Sequence, residues 1–239
     1  VIAEAARQFV LFGPEHLLIL GLMFASPLAL SLLVRVANRP RLTYGVACAL
    51  AAILLINRVF AIAIGVYAGR IHRWPEALPM HLCDWASIAV MIALVSGAQL
   101  PYELAYLWGL AGTFQAVLTP DLADRFPSPF FITFFVDHCG IIVSVLFLTW
   151  GMKRRPRTGS VLRVFLWTQV YTVAAALVDW SLGVNYGYLA SKPIHSSLLD
   201  YFGPWPWYIL SLELLSLVFF TVFYAPFWWG NRKPEFRQN

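Results

Sequence analysis

Sixty per cent of the 239 residues are hydrophobic and only 12% are charged. No soluble fold of this size buries so much apolar surface, so lipid is the solvent. The formal charge of +5 does not mark a nucleic-acid partner, because the basic residues flank apolar stretches, as they do in membrane proteins generally.

Seven stretches are long enough to cross a hydrocarbon core, which takes about 20 apolar residues. In chain order they are 15–36, 42–67, 79–98, 101–119, 129–150, 160–182 and 205–227. The expected fold is all-α: one multi-pass transmembrane domain over 1–239, a bundle of seven helices in the cell membrane. Residues 2–12 read as an interfacial segment leading into the first span. Gly65 and Gly69 have the spacing of a close helix contact. Pro79 reads as the first-turn residue of span three, where its missing N–H costs nothing. Residues 119–129 form a turn-rich connection, and the long 183–204 segment suits a functional lid. Cys48, Cys83 and Cys139 all fall within spans, which argues against a disulfide framework.

Charge placement sets an orientation. The segments after spans one, five and seven share one side and hold 11 of the 17 basic residues. By the positive-inside rule that side is cytoplasmic, so the N-terminus lies outside and the C-terminus inside.

Ionisable residues at membrane depth are costly and mark function. Most of them gather at the outer end: Asn57 and Arg58 in span two, His81, Cys83 and Asp84 at the start of span three, Gln115 in span four, Asp137 and His138 in span five, and Asp179 and Asn185 at the end of span six. Glu103 and Gln169 are the main exceptions. This distribution describes a polar cavity opening outward.

His81-Leu82-Cys83-Asp84 is the densest part of it. A thiol near a helix start is favoured as a thiolate by the helix dipole, and acyl transfer through it needs a base within reach and a group to orient that base. His81 stands two residues from Cys83, about 200° around a helix, so His138 on a neighbouring span is the better base. Asp84 or Asp179 could orient it, and Asp137 adjoins it. Counted from Pro79 and Pro129, His138 lies about 7 Å deeper than Cys83, a gap that an unwound start of span three would close. Arg58 has Asp84, Asp137 and Asp179 as candidate partners, or a substrate phosphate. Asn57, Gln115, Asn185 and Tyr208 complete the substrate-binding set.

Several motifs here resemble the YwaF-like bacterial membrane proteins, which are related to the eukaryotic transmembrane protein 164 family. They are Leu78-Pro-Met-His-Leu-Cys-Asp84, Tyr106-Leu-Trp-Gly-Leu-Ala-Gly112 with Thr119-Pro-Asp121, Phe134-Phe-Val-Asp-His138, Asn185-Tyr-Gly187 and Gly203-Pro-Trp-Pro-Trp-Tyr208. The resemblance implies a lipid acyltransferase acting through a cysteine thioester with an assisting histidine. Carried over, the cysteine is Cys83 and the histidine His138. The glycine usual after that histidine is replaced by Cys139, with Gly140 one place later.

The expected activity is therefore a phospholipid acyltransferase or transacylase whose partners are a phospholipid or lysophospholipid and the membrane, with no cofactor and no metal. The competing class is a lipid or small-molecule transporter or binding protein that uses the same cavity without covalent chemistry. Haem held by His81 and His138 would be visible as a chromophore. A retinal Schiff base has no lysine within a span to form it. Cysteines introduced at Ser160 and Ser197 should label from opposite sides of the membrane with an impermeant reagent; labelling from one side would overturn the orientation.

Overall fold

A computed structural model describes residues 9–192 and 198–231. Its framework is seven helices among the described residues. They are α1 Pro14–Ala37, α2 Pro40–Tyr67, α3 Leu82–Ser96, α4, α5, α6 Ser160–Leu182 and α7 Trp207–Asn231. Helix α4 runs from Gln99–Trp108 through a π turn, Gly109–Thr113, into Phe114–Leu118, and α5 continues from Pro129–Leu146 into a π turn, Phe147–Gly151. Five helices (α1, α2, α5, α6 and α7) are long and apolar enough to span a membrane.

Local chemistry sets the helix ends. A proline occupies the first turn of α1, α2 and α5, where no N–H is missed. Gly97 and Gly183 close α3 and α6 in left-handed conformation, as glycine does at low cost. Gly65 is packed against Ile71 of the following loop, and Gly69 adopts φ +66° in the turn. That pair therefore shapes a loop rather than the expected helix contact.

Helix α4 is the hub. Tyr102 through Trp108 are all buried, the Glu103 carboxylate among them, and α4 packs against α3, α5, α6 and α7. The outer helices present Leu18, Ile56, Leu166 and Leu214 outward. Within α4 the π turn lets its neighbours approach. A Cβ on Gly109 would meet Ile141 at 3.1 Å, and one on Gly112 would meet Leu82 at 3.5 Å.

Helix α3 departs from expectation. Pro79 does not open it; His81 is the N-cap, in extended backbone, and the helix begins at Leu82. Fifteen residues rise about 22 Å, short of the roughly 30 Å hydrocarbon core. Its start is sunk into the bundle, and the non-helical residues before it include a short 3-10 turn, Trp74–Ala77. Irregular backbone at such depth is stable only when it is buried or lines a polar cavity.

The two ends of the bundle carry different polar anchors. On the face bearing the 119–128 loop, Arg70 clamps Asp124 through two hydrogen bonds of 2.7 and 3.0 Å and lies over the Phe130 ring. The Arg70 guanidinium holds the Asp124 carboxyl below the usual carboxylate range. Arg125 grips Glu15. Phe9, the first described residue of the interfacial segment, donates its N–H to the Ala123 carbonyl and packs against Phe131 and Phe135. Residues 2–8 of that segment lie outside the described residues.

On the opposite face Glu103 is fully buried and accepts from Arg157, Arg163 and Gln99. This carboxylate binds the 152–159 loop and the start of α6 to α4. Of the labelling positions, Ser160 is buried and Ser197 lies outside the described residues; exposed Thr158 and Tyr201 report the same two loops. Glu103→Gln should lower the thermal unfolding midpoint in detergent, by a free energy on the order of 1–3 kcal/mol for buried hydrogen bonds to charge. Arg157→Gln should cost less, since Arg163 still holds the carboxylate. Equal midpoints for Glu103→Gln and wild type would contradict this role.

Candidate functional site

The start of α3 is built around Asp84. As the third helical residue it reaches back, and its Oδ2 accepts the His81 N–H at 2.9 Å, one half of a capping box. Its Oδ1 accepts from Arg58 Nη1 of α2 at 2.5 Å. The carboxylate is buried, whereas Arg58 is 31% exposed. Of the three partners open to Arg58, Asp84 is the one bound.

Cys83 precedes Asp84 in the same turn. Its Sγ and the carboxylates of Asp84 and Asp137 all lie within 4.8 Å of one another. Ser87, one turn on, donates to Asp137 Oδ1 at 3.2 Å. Helix α5 begins at Pro129 and α3 at Leu82, so bringing residues 83 and 137 level puts the start of α3 about 10 Å deeper than that of α5. This later start brings Cys83 level with Asp137, while no hydrogen bond joins Cys83 to His138 among the described residues. Gly140 lets α2 and α5 approach, since a Cβ there would meet Leu54 at 2.8 Å. The close approach sits at 140, so Cys139 is accommodated.

His138 is oriented by its own helix. Its Nδ1 pairs with the Phe134 carbonyl at 2.8 Å, and its ring stacks on Phe134 with 4.1 Å between centroids. A carbonyl only accepts, so Nδ1 carries the hydrogen and in the neutral ring Nε2 keeps the lone pair a base needs. His81 is exposed and meets the Tyr186 ring edge-on at 4.8 Å. It lines a cleft of about 310 Å³ with Arg73, Glu76, Val184, Asn185 and Tyr186.

The cleft wall is a strap after α6. Asp179 Oδ1 accepts the Tyr186 N–H at 2.7 Å, and the Tyr186 hydroxyl donates to the Pro75 carbonyl. Asn185 bonds Ala190 and Ser191. Tyr208 donates to the Tyr188 carbonyl at 2.5 Å, and Asn57 donates to the Thr133 carbonyl at 3.0 Å. Asn57, Asp179, Asn185 and Tyr208 are thus engaged in internal bonds that shape the site. Gln115 is exposed on the last stretch of α4. Across the cleft, the His72 N–H and then Arg73 keep the Glu76 carboxyl below its usual range.

Sequence reasoning missed Ser87 as the tie to Asp137 and Tyr186 as the cleft floor. Their signals were a lone hydroxyl in an apolar helix and the tyrosine of the Asn185-Tyr-Gly187 motif. It also missed Glu213 of α7, which accepts from Gln169 Nε2 at 2.5 Å and Thr172 Oγ1 at 3.1 Å; an isolated carboxylate within a span was the available sign.

The sequence model of the TMEM164 family matches residues 11–224. The chain belongs to the TMEM164 family. An uncharacterized protein of Treponema pallidum (strain Nichols) is 28% identical over 232 residues, covering 92% of this chain and 90% of that relative. No solved structure matches the chain. Within this TMEM164 family member, Tyr106–Gly112 forms the tightly packed π turn region and Leu78–Asp84 the sunken helix start.

Gly187 of the strap has φ +60°, and a Cβ there would fall 2.5 Å from the Tyr171 hydroxyl. Gly183 is also left-handed but has open space around it. Gly183→Ala should therefore cost only backbone strain, about 1–2 kcal/mol, and Gly187→Ala should cost more. The comparison of unfolding midpoints in detergent checks this, and an equal loss would contradict the crowding at Gly187.

Proposed function

We propose that this protein is an integral membrane phospholipid acyltransferase or transacylase of the cell membrane. Cys83 carries the acyl group as a thioester, and the cleft above α3 faces outward. The carrying observation is a thiol in the first turn of α3 whose Sγ lies within 4.8 Å of the Asp84 and Asp137 carboxylates, with Arg58 bound to Asp84. Ionisable groups gathered at that depth are too costly to be incidental.

The chemistry follows from the atoms available. Cys83 Sγ attacks the ester carbonyl of a donor lipid while His138 Nε2 takes the thiol proton. A C–S bond forms and the C–O bond to the glycerol breaks; His138 returns the proton to the departing alkoxide, giving a lysolipid. In the second half a lysophospholipid hydroxyl, or water, attacks the thioester, passing its proton to His138 as the C–S bond breaks, and His138 returns that proton to the departing Cys83 sulfur. Arg58 spends Nη1 on Asp84. Its remaining N–H groups make no hydrogen bond among the described residues and suit a phosphate or carbonyl oxygen. The motif resemblance set out in the sequence, which implies a thioester cysteine at Cys83 and an assisting histidine at His138, supports the reading.

The test is intact-protein mass spectrometry after incubation with phospholipid, followed by hydroxylamine. Wild type should gain a fatty-acyl mass that hydroxylamine removes, and Cys83→Ser should not. Cys48→Ser and Cys139→Ser should behave as wild type. His138→Gln should acylate about 100- to 10,000-fold more slowly, the usual worth of a general base. Acyl turnover undiminished in Cys83→Ser would refute the nucleophile. Folded wild type that moves no acyl chain but binds lipid would favour the transporter or binding-protein alternative.

A further inference from the structure

The charges around Cys83 are unequal. Arg58 answers Asp84 at 2.5 Å. Asp137 accepts from Ser87 and has no cation within ion-pair distance among the described residues. A carboxylate at membrane depth without a countercharge must take up either a proton or a cation. Beside Asp137 of α5 stand a second carboxylate and a sulfur, both from α3, with all three donor atoms within 4.8 Å of one another.

This is close to a metal-ligand arrangement. Donors held tetrahedrally at about 2.0–2.3 Å from an ion lie roughly 3.3–3.8 Å apart, so side-chain rotations that draw the donors in by about 1 Å would complete the set. Each carboxylate oxygen has two acceptor positions. Asp84 therefore retains lone pairs beyond those used by Arg58 and the His81 N–H, and Asp137 Oδ2 makes no hydrogen bond among the described residues. The charges also balance: one dication and the Arg58 guanidinium offset the Cys83 thiolate and two carboxylates. A nearby guanidinium repels any cation, which penalises ions held only by charge. Ions that form strong bonds to thiolate are favoured over magnesium and calcium.

We propose that Cys83, Asp84 and Asp137 form a binding site for a soft divalent cation of the zinc class, and that the bound ion silences the thiol. Binding displaces the Cys83 thiol proton to water and commits the sulfur lone pair to the metal, so it is no longer available to an acyl carbonyl. The site itself stands on donor geometry and charge; only the silencing rests on the acyltransferase reading.

The experiment uses the full chain in detergent, stripped with a chelator and titrated with cadmium, which reports thiolate ligation by ultraviolet charge-transfer absorbance. Wild type should develop the band at one equivalent, zinc should compete it away, and magnesium should not. Cys83→Ser should lose the band, while Cys48→Ser and Cys139→Ser keep it. Asp137→Asn, which preserves shape, should weaken binding by at least the roughly 10- to 100-fold that loss of an outer-shell partner costs. Unfolding midpoints confirm that each variant is folded. No band in folded wild type, a band that persists in Cys83→Ser, or unchanged affinity in Asp137→Asn would overturn the site. Thioester capture in metal-free protein separates the two readings. A thioester without a cadmium band removes the metal site and leaves the enzyme; a band without any thioester does the reverse. Where both occur, zinc should suppress thioester formation and a chelator restore it.

Discussion

The ion pair between Arg58 and Asp84 is the constraint on which the site depends. It joins α2 to the first turn of α3 at 2.5 Å, and the same carboxylate closes the helix start by accepting the His81 N–H. Buried pairs of this kind seldom add much net stability, because desolvation cancels most of the attraction. Their effect is to specify an arrangement, since losing one partner strands the other. Here the arrangement specified is a helix that starts inside the bundle, with Cys83 in its first turn.

That sunken start explains the neighbouring features. Leu78 to His81 run outside any helix before the cap, and just ahead of them Tyr186 donates to the Pro75 carbonyl while Asp179 holds Tyr186 in place. Helix α4 lets α5 come close at Gly109, where a Cβ would meet Ile141 at 3.1 Å. π turns often accompany functional sites, and this one lies against Leu82, the residue before Cys83. At the opposite end, Glu103 binds Arg157 and Arg163. The bundle is thus fixed at both ends by buried carboxylates, with an open cleft at one of them.

Much of this was legible in the sequence, and the misreadings share one physical origin. Span six reads correctly over 160–182 because Gly159 and Gly183 bound a continuous apolar run. The sequence puts the start of span three too early because Pro79 looks like a first-turn proline. The true cap is His81, which lacks the short oxygen-bearing side chain of the usual N-caps, so the decisive contact is Asp84 reaching back three residues. Arg58, Cys83, Asp84 and Asp137 stood out through the cost of burying them, but which carboxylate Arg58 would choose depends on helix register. The same holds for Asn57, Asn185 and Tyr208, whose partners are the carbonyls of Thr133, Ser191 and Tyr188. Polarity is written in the sequence; the partner of each polar group is set by tertiary packing. Glu213 was passed over because Gln169 and Thr172 meet it only across the α6–α7 contact.

The most direct test of this account is a double-mutant cycle on Arg58→Met and Asp84→Leu, read by unfolding in detergent and by the rate at which maleimide labels Cys83. If the pair positions the helix start, Arg58→Met strands the buried Asp84 carboxylate, at a cost towards the roughly 3–5 kcal/mol of a broken buried pair, and Asp84→Leu costs less because Arg58 is 31% exposed. The double variant should then be more stable than the sum of the singles implies, and Cys83 should label faster in every variant that lacks Asp84. Additive losses together with unchanged Cys83 labelling would contradict the claim that this ion pair sets the site.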